Sequence, residues 1–357
     1  MSLHPSMTEA LRLTRSGDLS GATALLRSAL GGGADPATAN ARADRVIDLE
    51  PEQVTAKRMA VAALTAARFE ARRHTGPAGS IDYMLYRPAS TAPGMPLVVM
   101  LHGCTQTPED FARGTGMNRL ADELGFLVAY PRQTQAANQQ RCWNWFRPGD
   151  QAHGRGEPAL IAGVTQDVIA AEQADAGRVY VAGLSAGGAA AAIMADAYPD
   201  LFAAIGVHSG LACGAARNLP AAFAAMKRGG AGQAKSQHAG GRFVPVITFH
   251  GDRDSTVHEA NAREIVLAAT TASGVPVMVE TEAGSAGGRR YTRALSRDGA
   301  GHVLIEQWTV AGGGHAWSGG DPAGSYADPA GPDASRAMLR FFQEHRKYLP
   351  GIEACDF

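Results

Sequence analysis

Ser185 lies in the run Val179-Tyr180-Val181-Ala182-Gly183-Leu184-Ser185-Ala186-Gly187-Gly188. An apolar stretch ends in G-x-S-x-G and passes into alanine-rich chain. That is the pattern of a strand, a sharp turn and a helix with a serine at the turn. The turn demands small neighbours, because side chains at 183 and 187 would strike the adjoining strand and helix. It also points the serine oxygen toward a helix N-terminus, whose free N–H groups favour developing negative charge. A serine hydroxyl is a weak nucleophile alone, so a base must follow, with a group to orient it.

Two downstream segments supply those groups in the order Ser, Asp, His. Val246-Ile247-Thr248-Phe249-His250-Gly251-Asp252-Arg253-Asp254 reads as an apolar strand delivering two aspartates into a turn. Ala311-Gly312-Gly313-Gly314-His315-Ala316-Trp317 places a histidine in a glycine loop after another strand. Both segments follow strand ends, where open sheets bind ligands. Asp254 is the preferred orienting acid, with small and β-branched residues behind it. Asp252 is the runner-up, with turn capping as its alternative role. His102 and His250 end apolar strands and read as structural histidines, and His258 begins a helix. Of these and His302, only His315 combines the chain order with loop freedom.

An oxyanion formed at the substrate carbonyl needs two N–H donors. The amide of Ala186, after the serine, is one. The second is expected in Leu101-His102-Gly103-Cys104-Thr105-Gln106, the turn after the third strand, at Cys104. Three of the four tryptophans stand beside these segments: Trp143 and Trp145 in Arg141-Cys142-Trp143-Asn144-Trp145-Phe146, and Trp317 near His315. Their expected roles are divided between core scaffold and an apolar slot gripping an acyl or polymer chain.

Positioning these groups requires a sheet. From residue 81, apolar runs alternate with helical stretches, the signature of a mostly parallel, doubly wound α/β sheet. The expected strands are Ile81–Tyr86, Leu97–His102, Phe126–Tyr130, Val179–Ala182, Ala204–His208, Val244–His250 and Val303–Val310. Helices are expected over Glu109–Leu124, Pro158–Glu172, Ala186–Ala197, Ala260–Ala272 and Asp333–Tyr348. His74 to Ser80, with Gly76, Pro77 and Gly79, reads as a linker. It separates a small helical N-terminal appendage (1–75) from a catalytic domain (76–357). The glycine- and alanine-rich stretch 211–242 is a candidate lid or mobile insertion.

Length and composition agree. The 357 residues are 45% hydrophobic and 19% charged, with a formal net charge of -1. That supports a large core and offers no basic surface for nucleic acid. No apolar run is long enough for a transmembrane segment. Cys104, Cys142, Cys213 and Cys355 show no zinc spacing, so no metal is expected. They read as reduced thiols of a cytoplasmic protein, with a Cys104–Cys142 bridge as the alternative. Glu9, Arg12, Arg15 and Asp18 interrupt the first thirty residues where a secretory signal would be apolar.

Several longer motifs stand together: LHGCTQTPEDFARGTGMNRLADELGFLVAYPRQ, CWNWF, GEPALIAG, GLSAGGA, HGDRDSTVHEAN and GGGHAWSGG. Over about residues 80–347 the chain resembles the polyhydroxybutyrate depolymerase family of esterases. The resemblance implies an α/β-hydrolase fold and a triad of Ser185, Asp254 and His315. It also implies an oxyanion hole from Cys104 and Ala186, tryptophans of CWNWF lining polymer subsites, and no cofactor. The substrate would be a polyester or oligoester. Without a recognisable signal or separate polymer-binding domain, the chain resembles an intracellular branch, in the cytoplasm and associated with polyester granules. A feruloyl or acetyl carbohydrate esterase and a granule-binding protein are the competing expectations.

Overall fold

A computed structural model describes residues 67–230 and 242–347. The helical appendage expected over 1–75 lies, but for its last nine residues, outside them, as do 231–241 of the expected insertion. Among the described residues a single ten-stranded sheet organises the fold. Its strands are β1 (Arg68–Gly76), β2 (Gly79–Arg87), β3 (Leu97–Leu101), β4 (Leu127–Pro131) and β5 (Val179–Leu184). They are followed by β6 (Ala204–His208), β7 (Val246–Gly251), β8 (Met278–Ala286), β9 (Arg289–Arg297) and β10 (Val303–Val310). The spatial order is β1-β2-β4-β3-β5-β6-β7-β10-β9-β8.

The six central strands, β4-β3-β5-β6-β7-β10, pair in parallel. Strands β3 to β7 are buried along their whole length, which explains their unbroken apolar composition. Helices cover both faces. On one lie α3 (Gly156–Glu172) and α4 (Ala186–Ala197), packing Ile161, Val164, Val168 and Ile193 against Val99, Val181 and Val207. On the other lie α1 (Pro108–Thr115), α2 (Met117–Leu124) and α7 (Ala334–Gln343), packing Phe111, Leu120, Met338 and Phe341 against Met100, Val128 and Phe249. Two further helices, α5 (Leu219–Arg228) and α6 (Ala260–Ser273), follow β6 and β7.

Two expectations change, and two further elements appear. The stretch His74–Ser80 is the tip of the β1–β2 hairpin, with Gly76 paired to Gly79, so the boundary expected between 75 and 76 falls inside the sheet. Glycine and proline there mark a tight turn rather than a linker. The helix expected over Glu109–Leu124 is two helices, because Gly116 adopts a left-handed conformation (φ 62°) that caps α1. Strands β8 and β9 had no expectation. They form an edge hairpin whose outer strand is mostly exposed, so no buried face imposes apolar alternation. Within the candidate lid, residues 219–228 form α5, with Ala222 and Ala225 buried.

Candidate active site

Ser185 occupies the sharp turn between β5 and α4, with φ 58° and ψ -117°. The left-handed backbone is costly for a non-glycine residue, and its surroundings compel it. A Cβ on Gly183 would overlap the Gly187 backbone, and one on Gly187 would overlap the Leu101 carbonyl. The helix can therefore press against β3 and β5 only if both positions stay bare. Ser185 is largely buried, at 9% exposure.

The chain after β7 turns at Asp254. One carboxylate oxygen accepts the amides of Thr256 and Val257, at 2.9 and 2.8 Å. The other receives His315 Nδ1 at 2.7 Å. Burial pushes the Asp254 pKa up, but the His315 bond and charge with the Val257 amide outweigh it and hold the carboxyl below its ordinary range. With Nδ1–H given to a carboxylate, neutral His315 keeps Nε2 unprotonated, the state a general base needs. Asp252, the runner-up, instead accepts the Gly312 amide at 2.7 Å and ties down the glycine loop. His250 donates from Nε2 to the Val257 carbonyl at 2.7 Å and braces the same turn.

Among the described residues no direct hydrogen bond joins Ser185 to His315. Such bonds are often long in an unliganded enzyme and tighten around substrate. His208, at the end of β6, connects the two segments. Its carbonyl accepts the Ser185 amide at 2.9 Å. Its Nε2 accepts the Ser318 amide, three residues beyond His315, at 2.9 Å. Its ring stacks on Trp317 at 5.1 Å. An amide donor at Nε2 requires that nitrogen bare, so neutral His208 carries its proton on Nδ1, facing Ser209 Oγ at 3.2 Å. Complete burial pushes its pKa down to about 3. Sequence reasoning missed His208. The available signal was a polar residue ending a buried strand beside the elbow.

The expected oxyanion loop lies against the serine. A Cβ on Gly103 would stand 3.7 Å from that of Ser185. Ala186 is the first residue of α4, where no intrahelical carbonyl takes its amide. Beyond Gly103, Cys104 and Cys142 form a disulfide. This corrects the expectation of four reduced thiols and removes one ground for a reducing compartment. Thr105 N also donates to the Gln140 carbonyl at 2.5 Å. His102 mirrors His208: its Nε2 accepts the Gln133 amide at 3.1 Å and its Nδ1 faces the Gly103 carbonyl at 2.8 Å. Burial pushes its pKa down to about 4.

Glu157, in the GEPALIAG segment, anchors CWNWF from below. Its carboxylate receives Asn144 N, Asn144 Nδ2 and Gln133 Nε2 at 2.7, 2.6 and 2.5 Å. Burial and the Asp150 charge push its pKa up to about 7, against the pull of those donors.

The tryptophans do not form an open slot. Trp143, Trp145 and Trp317 are 0%, 6% and 1% exposed. Trp143 Nε1 donates to the His102 carbonyl at 3.0 Å, and Trp317 Nε1 to Ser335 Oγ at 3.0 Å. Trp143 and Trp317, fully buried and hydrogen-bonded, stiffen the loops that carry Cys104 and His315. Those two rings leave no face for a substrate chain, which corrects their expected subsite role, and Trp145 is buried beside Phe146 at the edge of an internal cavity.

The sheet, the elbow and the bonded carboxylate–imidazole pair define the class: a protein of the α/β-hydrolase fold. The family model of esterase PHB depolymerase matches residues 81–291, and the chain belongs to that family. It is 32% identical over 249 residues to poly(3-hydroxyalkanoate) depolymerase C of Paucimonas lemoignei, covering 66% of this chain and 58% of that protein. The chain thus spans less than two thirds of that relative's length. It is 29% identical over 280 residues to feruloyl esterase B of Neurospora crassa, covering 74% of this chain and 88% of that one. An acetyl xylan esterase from Aspergillus awamori shares the fold, with a TM-score of 0.58 at 21% identity over 77% of this chain and 99% of that chain.

Proposed function

We propose that the protein hydrolyses ester bonds of poly(3-hydroxybutyrate) or its oligomers through an acyl-enzyme on Ser185. The carrying observation is the 2.7 Å bond from His315 to Asp254, downstream of a strained serine elbow. The Ser185 oxygen attacks the ester carbonyl while His315 Nε2 takes its proton. The negative charge moves to the carbonyl oxygen, facing the amides of Cys104 and Ala186. Collapse breaks the ester C–O bond, and the leaving alkoxide takes the proton from His315. Water then repeats the sequence and releases the hydroxy acid. Asp254 stabilises the imidazolium at each stage.

The polyester substrate is supported by the family and by the Paucimonas relative. The extensive match to a feruloyl esterase favours a second reading, removal of acyl groups from carbohydrate. Product analysis decides between them. The protein is incubated with amorphous poly(3-hydroxybutyrate), its dimer and trimer, and feruloylated and acetylated xylo-oligosaccharides. Soluble hydroxybutyrate released faster than ferulate or acetate is the expected result; the reverse order overturns the polyester substrate. Ser185→Ala should lower turnover of a short p-nitrophenyl ester by about 10⁴-fold or more. Retained turnover ends the serine mechanism. The polyester granule is the proposed partner surface, tested by cosedimentation with amorphous granules.

A further inference from the structure

With the tryptophans packed away, another aromatic residue borders the site. Tyr326 is 45% exposed, against 1% for Trp317. It belongs to the segment after His315 that folds back over the turn following β3. Its carbonyl accepts the Trp317 amide at 2.6 Å, two residues beyond His315. Its hydroxyl meets Thr105 Oγ1 at 3.2 Å, one residue beyond Cys104. Next to it, Ser325 N donates to Asp110 Oδ1 at 3.0 Å, and its carbonyl accepts Gln106 Nε2 at 3.1 Å.

Tyr326 therefore stands where the base-bearing loop meets the oxyanion loop. Both partners pay for that meeting. Tyr326 has φ 51° and Thr105 has φ 67°, left-handed conformations that disfavour residues with a Cβ. Neither strain serves burial, since both residues are exposed. A semi-rigid ring at the rim of a hydrolytic site, pinned at its hydroxyl and its backbone, offers a substrate an apolar surface at small entropic cost.

We propose that Tyr326 is a specificity-determining residue. Its ring would contact the part of the substrate beyond the scissile ester, the neighbouring hydroxyacyl unit of an oligoester chain. This rests on the polyester reading above. A short acetyl ester would not reach the ring, whereas a trimer would.

The test compares the unsubstituted protein, Tyr326→Ala and Tyr326→Phe on p-nitrophenyl acetate and on the hydroxybutyrate trimer, with circular dichroism to confirm folding. For Tyr326→Ala, KM for the trimer should rise about tenfold while kcat/KM for the acetate stays within about twofold. Tyr326→Phe keeps the ring and the backbone bond but loses the Thr105 pin, so it should match the unsubstituted protein on the acetate and raise KM for the trimer by no more than about threefold. Equal losses on both substrates, in either variant, would make Tyr326 a support for the oxyanion loop and overturn substrate contact. Trimer hydrolysis that Tyr326→Ala leaves unchanged overturns the inference alone. No trimer hydrolysis by the unsubstituted protein overturns the polyester reading together with it.

Discussion

The loop of Cys104 and the loop of His315 flank the same serine, and they are held by different physics. Each has a buried neutral histidine behind it, His102 or His208, whose Nε2 accepts one backbone amide from a distant segment. The Cys104 loop is also closed covalently, by the bridge to Cys142. The His315 loop has no covalent tie. It depends on Asp252 at Gly312, Asp254 at His315 and His208 at Ser318. The difference suits the two tasks proposed for them, oxyanion donor and general base. An oxyanion donor works by staying fixed while charge develops. A general base exchanges a proton with two partners in turn, and its loop must allow small adjustments of the ring.

The largest test of this contrast removes the orienting acid. Asp254→Asn should lower kcat for a short ester by about 10⁴-fold, by favouring the wrong tautomer of His315. Asp252→Asn keeps an acceptor for the Gly312 amide and should cost less than tenfold. If the two variants lose similar activity, the assignment of Asp254 over Asp252 fails.

Next comes the covalent side. The bridge closes a loop with a sequence separation of 38. Replacing both Cys104 and Cys142 by serine should lower unfolding free energy by about 4 kcal/mol in urea titrations. The group proposed to donate at 104 is an amide that the variant keeps, but its loop loses the covalent closure, so kcat of the folded variant should fall by less than the roughly 10²-fold that outright loss of an oxyanion donor costs. A urea midpoint that ignores dithiothreitol would show that the bridge carries no such load.

The smallest effect concerns the two histidines. Their folded pKa values, about 4 for His102 and about 3 for His208, lie below the ordinary 6.5. Below pH 6.5 the unfolded chain binds protons that the folded protein refuses. Their stabilisation is therefore complete above that pH and is lost progressively on acidification. At pH 5 each accounts for about 2 kcal/mol of lost stability. His208→Gln retains an acceptor for the Ser318 amide and should remove about 2 kcal/mol of the fall between pH 7 and pH 5. An unchanged pH dependence would mean that His208 is not the buried neutral acceptor described above.

Much of this was legible beforehand because the central strands are buried on both faces. Their apolar runs need no partner to be recognised, and helix Ala186–Ala197 was read to its ends. The polar outer strands β8 and β9 left no such trace, and the turn of the β1–β2 hairpin imitated a linker. At the site, Asp254 outranked Asp252 on local grounds; only the fold shows that Asp254 meets His315 while Asp252 meets the Gly312 amide.

The residue types, their order and the glycines beside Ser185 were set by sequence alone, since nucleophile, acid and base must each follow a strand, and only a bare backbone allows the elbow. Tertiary structure decided which way the large side chains face. Tryptophan chemistry suits a binding slot and a loop support equally well. Only packing from distant segments, such as Ser335 against Trp317 and His102 against Trp143, buried those rings and left Tyr326 at the surface. It also decided the cysteines, because a bridge depends on two Cα atoms meeting across a fold that no local spacing records.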